Sequence, residues 1–443
     1  MNKPICEFLE KYNSKNPIRL HVPGHKGKSF LGYEKYDLTE VDGADELYLP
    51  TGIIKESQQN ASRLFNCPTY YSVEGSSHAI RAMLYLAKIF AKERGIEYNI
   101  LATRNVHKSF LSGCALLGAN VNWIENLGGG SYYSNYLTPE ILENYLKSER
   151  VMPCALYVTS PDYLGNILDI SGISKVLKKY GILFLVDNAH GAYLNFLDMH
   201  PISLGASMCA DSAHKTLPVL TGGAYLHLSN EVYNVVGNYV QTSLSLFGTT
   251  SPSYLILSSL DSANAYLNDG YKTRLKDFIK KIDLLKQDLI SFGYDLLSSE
   301  PLKITIDAKN YGYVGEQIVK ILIKNDIYVE FYDDDYVVLM LTPELIDSEI
   351  EKVKQVLLSI CKKTKIEKKS LPLVSGKRVL SLTEASASLS KIVDTKNSLG
   401  EIYQDFNLPC PPAVPIIMPG EEITLKTIEV FNYYNIKTVK VVK

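Results

Sequence analysis

The stretch Ser212-Ala213-His214-Lys215-Thr216 follows a short apolar run, SMCAD, so an amine stands just beyond what reads as a strand end. A lysine amine condenses with aldehydes to give an imine, the chemistry by which pyridoxal phosphate (PLP) is anchored in its enzymes. A lone lysine in a loop is ordinarily a solvated cation, so Lys215 needs company to mean more. Asp187 supplies it. This residue ends the apolar run ILFLVD, and ligands of open α/β sheets sit beyond the carboxyl ends of the strands. A carboxylate there keeps a pyridine nitrogen protonated, which turns the ring into an electron sink. Taken by itself, Asp187 serves equally well as a cap or turn former for Asn188-Ala189-His190-Gly191.

Two more groups join the series. Gly75-Ser76-Ser77 opens a run in which Ile80, Met83, Leu84, Ala87 and Phe90 recur at helical spacing, and predicts a helix beginning at Ser76 or Ser77. Backbone N–H groups, two hydroxyls and the positive end of a helix dipole bind a phosphate dianion, although serines cap helices without any ligand too. Arg104-Asn105-Val106-His107-Lys108-Ser109 follows the run NILA, where an imidazole can stack on a flat heteroaromatic ring. In chain order the four are phosphate cup, stacking group, pyridinium acid and lysine.

The elements that must position them are legible as patterns. NILA, NVNWI, ALYVTS, ILFLVD and GAYLHL are apolar on both faces and alternate with helix-like stretches such as ISKVLKKYG. They predict a mostly parallel sheet covered on both sides, an α/β large domain over 56–295 that leaves through long helices at 256–292. LKITID, EQIVKILIKN, the paired IYVEFY and YVVLML, and SEIEKVKQVLLSI predict a smaller C-terminal α+β domain over 296–443, which the last portion of the chain completes. CKKTKIEKKS reads as a solvated connection. Residues 1–55, rich in turn signals and acids, read as an irregular segment lying over other elements.

Composition narrows the partners. The chain has 443 residues, 46% of them hydrophobic, which excludes global disorder. A net charge of −2, from 46 basic and 48 acidic residues, removes the electrostatic reason to expect nucleic acid or an anionic membrane, so small solutes are the default ligands. Seven cysteines include no CxxC pair, the first 16 residues mix charges into every turn, and no stretch approaches the length of a membrane span. The expectation is a cytoplasmic, soluble protein with reduced thiols. No metal site is expected, since Pro23-Gly24 breaks the helix that a His21/His25 pair would need.

The sequence resembles the Orn/Lys/Arg decarboxylases of the aspartate-aminotransferase-like (fold type I) PLP class, in their short bacterial form. The blocks that carry this are Pro23 to Gly27, Asp37 to Glu40 with Gly43 and Asp45, Val73 to Ile80, Arg104 to Ser109, Ser160-Pro161 with Tyr163 and Gly165, Asp187 to Ala192, Ser212 to Leu217, Thr249 to Tyr254, and Pro411 to Glu421. The resemblance implies that Lys215 carries the internal aldimine, Asp187 pairs with the pyridinium, and His107 stacks on the ring. It implies that Ser76, Ser77, Ser212 and His214 hold the phosphate or its surroundings, with His190 beside the cofactor. Thr249 lies in a stretch that family members reach across a homodimer toward the partner's phosphate. Departures are Glu74 where Asn is usual, Asn188 where Glu is usual, Tyr193 where His is common, and Cys410-Pro411-Pro412-Ala413 in place of Tyr-Pro-Pro-Gly.

The implied activity is decarboxylation of a basic amino acid, arginine by analogy with the short members and otherwise lysine or ornithine, giving CO₂ and a polyamine-pathway amine. Lys215 or His190 would return the proton to Cα. A distal cation on the substrate wants acids, and Glu40, Asp42, Asp45, Glu46, Glu330 and Asp333 to Asp335 are the candidates. Glu330 and Asp45 are the chosen ones, because three successive aspartates read as a hairpin turn. An aminotransferase or aldolase would need the same lysine and aspartate, but a transaminase ordinarily wants an arginine clamp, and 301–361 contains no arginine. A silent homologue acting as a binding subunit is the other alternative, suggested by the altered 74–79 and 410–413 blocks.

Overall fold

The computed structural model describes residues 1–125, 131–134, 136–297, 300–408 and 413–443. Its centre is a seven-stranded sheet: β1 (Thr69–Ser72), β2 (Asn99–Thr103), β3 (Asn120–Ile124), β4 (Ala155–Thr159), β5 (Leu183–Asp187), β6 (Met208–Asp211) and β7 (Ala224–Leu228). The strand order is β1-β7-β6-β5-β4-β2-β3, parallel from β3 through β6, with β7 antiparallel to β6 and β1 antiparallel to β7. The doubly apolar runs do what their pattern predicts. Tyr157 and Leu185 join one apolar cluster, while their chain neighbours Leu156, Val158, Phe184 and Val186 join another, so both faces of the sheet are covered. In-register pairing of Thr159 with Asp187, and of Asp187 with Ala210, brings the carboxyl ends of β4, β5 and β6 to one level.

Two helices, Tyr254–Asn268 and Tyr271–Phe292, lead out to a four-stranded antiparallel sheet: β8 (Leu296–Leu297), β9 (Lys303–Asp307), β10 (Phe331–Tyr332) and β11 (Tyr336–Met340), ordered β10-β11-β9-β8. The run IYVEFY, expected to be strand throughout, shortens to Phe331–Tyr332. Its ladder closes where Glu330 N–H donates to Val338 O, and Tyr328 projects into solvent. Asp333 makes the turn, its Oδ1 accepting from the Asp335 and Tyr336 N–H groups.

The last portion forms a separate pair, β12 (Ser390–Asp394) and β13 (Thr438–Val442), under the helix Leu425–Tyr433, with an apolar cluster of its own that includes Tyr403, Ile417 and Phe431. A buried bidentate pair ties it to the large domain, Arg104 Nη1 and Nη2 donating to Glu421 Oε1 and Oε2 at 2.8 and 2.6 Å.

The N-terminal segment is less irregular than its composition suggests. Pro4–Ser14 is a helix whose first N–H groups, of Ile5 and Cys6, both donate to Asp261 Oδ2 at 3.0 Å. It buries only Pro4, Ile5 and Leu9, too narrow a stripe to stand out among its charges. No helix among the described residues is long and apolar enough to cross a membrane.

Candidate active site

A helix runs from Gly75 to Arg94, so it starts one residue ahead of the serines. Gly75 N–H donates to Gly222 O at 2.7 Å. Gly222 has φ +102°, and a Cβ there would stand 2.8 Å from Val73 O, so only glycine lets the two turns approach. Ser76 and Ser77 lie in the first helical turn, where N–H groups have no partner within the helix. Ser212 Oγ donates to Ser76 Oγ at 2.7 Å, and Ser109 Oγ donates to Ser77 Oγ at 2.6 Å. The acid at Glu74 is engaged elsewhere, its carboxylate accepting from Thr249 N–H.

His107 caps the helix Lys108–Leu117, its Nδ1 accepting from Ser109 N–H at 3.2 Å. Burial, then the charges of Lys215, Lys108 and Arg81, push its imidazolium down to about 3, so the ring is neutral. Asp187 ends β5, fully buried. Tyr157 Oη donates to its Oδ2 at 3.0 Å and Ala189 N–H to its Oδ1 at 3.2 Å. Burial raises its carboxyl above the usual range, against the opposing pull of Lys215. Lys215 sits in a four-residue helix, Ala213–Thr216, just past β6, and its Nζ lies 3.1 Å from His190 Nε2. Burial, with Lys215 next, holds His190 well below the ordinary histidine value, so its ring is neutral.

These groups border one cavity of about 200 Å³. Ser76, His107, Asp187, His190, Lys215 and Glu330 all line it. Tyr163, on the wall beside them, packs edge-on against the His190 ring and donates its hydroxyl to Glu330 Oε1 at 3.0 Å. Four other expected residues are not on the described wall. Ser212 stands one hydrogen bond behind it, on Ser76, and Ser77 two, through Ser109 to His107. His214 faces Gly223 O at 3.0 Å, and Thr249 lies exposed against Glu74.

Asp45 departs from its expected role as a substrate contact. Its buried carboxylate accepts from five backbone N–H groups, of Glu46, Thr51, Gly52, Ile54 and Lys55, and so anchors the start of the helix Ile53–Phe65. Cys410, Pro411 and Pro412 lie outside the described residues. Tyr157, Asn105, Thr159 and Tyr133 reach the site without having been singled out. Thr159 and Asn105 follow the same strand-end logic as Asp187, whereas Tyr157 is hidden inside an apolar strand.

Residues 3–297 match the family model of the Orn/Lys/Arg decarboxylase major domain. The chain belongs to that family. The chain is 31% identical to an uncharacterised protein, YaaO, of Bacillus subtilis strain 168, over 97% of this chain and 93% of the relative. It is 30% identical to an arginine decarboxylase of Bacillus anthracis, over 96% and 92%. The lysine decarboxylase structure from Francisella novicida shares its fold, with a TM-score of 0.80 at 18% identity, covering 100% of this chain and 81% of that one. The decarboxylase is therefore a PLP-dependent amino-acid carboxy-lyase of fold type I. Its cavity suits the cofactor: Asn105 Nδ2, Thr159 Oγ1 and His190 Nδ1 are buried on the wall with no hydrogen-bond partner among the described residues, as a bound polar ring would require.

The depressed His107 has a consequence for stability. An unfolded histidine titrates near 6.5, so between that value and about 3 the unfolded chain binds the extra proton and the folded one does not. Stability from this group rises with pH across the window and is lost on acidification. The apoenzyme of a His107→Gln variant should therefore lose less of its thermal midpoint than the parent between about pH 7 and about pH 5. Equal losses would show that His107 is not held neutral.

Proposed function

We propose that this decarboxylase acts on arginine, with lysine and ornithine as the alternatives, and that the amine feeds polyamine synthesis. The observation that carries the reading is the shared cavity, in which an amine, a buried carboxylate, a neutral imidazole and a separate acid face one space. Arginine decarboxylases of Bacillus anthracis and Bacillus subtilis at 30% and 28% identity support the choice of substrate. When bound, PLP supplies the electron sink for the electrons of the breaking Cα–carboxylate bond.

The chain's own residues divide the remaining work. Lys215 would carry the cofactor through Nζ, and Asp187, aimed by the Tyr157 hydroxyl and the Ala189 N–H, would face the ring nitrogen. His107 would lie against the ring, and Ser76, with Ser77, Ser212 and His214 behind it, would receive the phosphate. His190 Nε2, at 3.1 Å from Lys215 Nζ, takes up or returns a proton at that amine, and either group would protonate Cα. Glu330, oriented by the Tyr163 hydroxyl, would accept the substrate's distal cation.

Ile18, Leu20, Phe30 and Leu31 are each at least 79% exposed, a cost that a second copy of the chain would remove. That fits a homodimer in which Thr249 reaches the partner's phosphate. Free thiols at the described cysteines fit a cytoplasmic protein.

Amine profiling with arginine, lysine, ornithine and an aromatic amino acid tests the reading. Agmatine as the dominant product is expected, and keto-acid formation without CO₂ would replace decarboxylation by transamination. Glu330→Gln removes one charge-assisted contact, so KM for the basic amino acid should rise about 10- to 100-fold. An unchanged KM would remove Glu330 from the substrate's path.

A further inference from the structure

Behind the site lies a buried group that the proposed chemistry does not use. Asp187 pairs in register with Ala210, so Asp211, one residue on, faces the opposite side of the sheet. There its carboxylate is fully buried and accepts three hydrogen bonds. Oδ1 accepts from Asn188 Nδ2 at 2.7 Å and from Cys209 Sγ at 3.2 Å. Oδ2 accepts from His200 Nε2 at 3.1 Å and stands 3.3 Å from His227 Nε2. With three hydrogen bonds on two oxygens and the His227 ring beside Oδ2, the cluster of His200, Cys209 and Asp211 works as a buried hydrogen-bond hub.

What the hub touches is the backbone of the site. Asn188 directly follows Asp187, and its own N–H donates to Ala210 O at 3.0 Å. Asp211 directly precedes Ser212, whose carbonyl accepts from Lys215 N–H at 3.1 Å and whose hydroxyl donates to Ser76. One carboxylate thus links the strand end that bears the acid to the strand end that bears the lysine. The amide at 188, where family members usually carry glutamate, provides the link.

We propose that Asp211, held between His200 and His227, is a positioning residue that sets Asp187 and Lys215 relative to one another through Asn188. This rests on the roles proposed for those two groups. The histidines matter because a lone buried carboxylate would be costly, and because they bind this charge on the far face, leaving Asp187 as the acid on the cofactor side. Nothing in the hub contacts the cavity directly, so its loss should act on orientation and not on substrate contact.

The test uses Asn188→Ala, which cuts the link and leaves the histidine pairing intact, with Asp211→Asn beside it. Apoenzyme is titrated with PLP by absorbance, and thermal unfolding of the apoenzyme is followed separately. For Asn188→Ala the PLP dissociation constant should rise about tenfold and kcat should fall with KM unchanged, as for other groups that orient a primary ligand, while the apo midpoint moves little. The swap Asn188→Asp with Asp211→Asn keeps the hydrogen bond but moves the charge away from the histidines, and it should not restore kcat. Parental PLP affinity and kcat in Asn188→Ala, or full rescue by the swap, would overturn the proposal. Borohydride labelling of the parent on a residue other than Lys215 would instead overturn the underlying site assignment, whatever the variants do.

Discussion

Lys215→Ala should lower kcat/KM by at least about 10⁴-fold, or about 5 kcal/mol of transition-state stabilisation, and should abolish borohydride-stable attachment of the cofactor. The physical reason is that Nζ does two jobs. It would hold the aldehyde, and at 3.1 Å from His190 it would be half of the proposed proton path. After burial it is the largest charge depressing both His107 and His190, and it opposes the rise of Asp187. Removing it should therefore let both imidazoles titrate at higher pH. Lys215→Arg separates the two contributions, because it keeps a cation and loses the condensing amine. It should be as inactive as the alanine variant while keeping His107 neutral. Parental turnover in either variant would end the assignment.

Asp187→Asn should cost about 10²–10³-fold in kcat, or about 3–4 kcal/mol, because an amide cannot keep a ring nitrogen charged as a carboxylate does. Stability should move the other way. The Asp187 carboxyl is raised by burial, so its ionised form strains the apoenzyme, and a neutral isostere relieves that strain. Tyr157 and Ala189 can still hydrogen-bond an amide at this position. The expected result is an apoenzyme at least as heat-stable as the parent and a holoenzyme that turns over slowly. A large drop in the apo midpoint, with kcat lost in proportion to unfolded protein, would make Asp187 a structural residue only.

The strand-end residues were readable because their signals are local. An apolar run on both faces must be an inner strand, and a polar residue that ends it must stand at the sheet's carboxyl edge. That argument located Asp187, Lys215 and His107 without any knowledge of neighbours, and the register of β4, β5 and β6 then set Thr159 and Asp187 level. Asp45 and Glu330 were indistinguishable by the same means, since each is an acid in a turn-rich stretch. Their difference lies in partners: five backbone N–H groups close around Asp45, while Glu330 accepts from the Tyr163 hydroxyl.

By itself, then, the sequence determined the class of chemistry through its resemblance to a family, while short-range patterns of burial placed an amine and an acid at adjacent strand ends. Only the tertiary structure decided which acid faces the cavity, that Tyr157 aims Asp187, and that Asp211 accepts from Asn188 just past β5, Cys209 of β6 and His200. These are contacts between positions far apart in the chain, and the reason they were hidden is physical. A buried polar group is defined by what comes to satisfy it, and nothing in its own neighbourhood of sequence says what that will be.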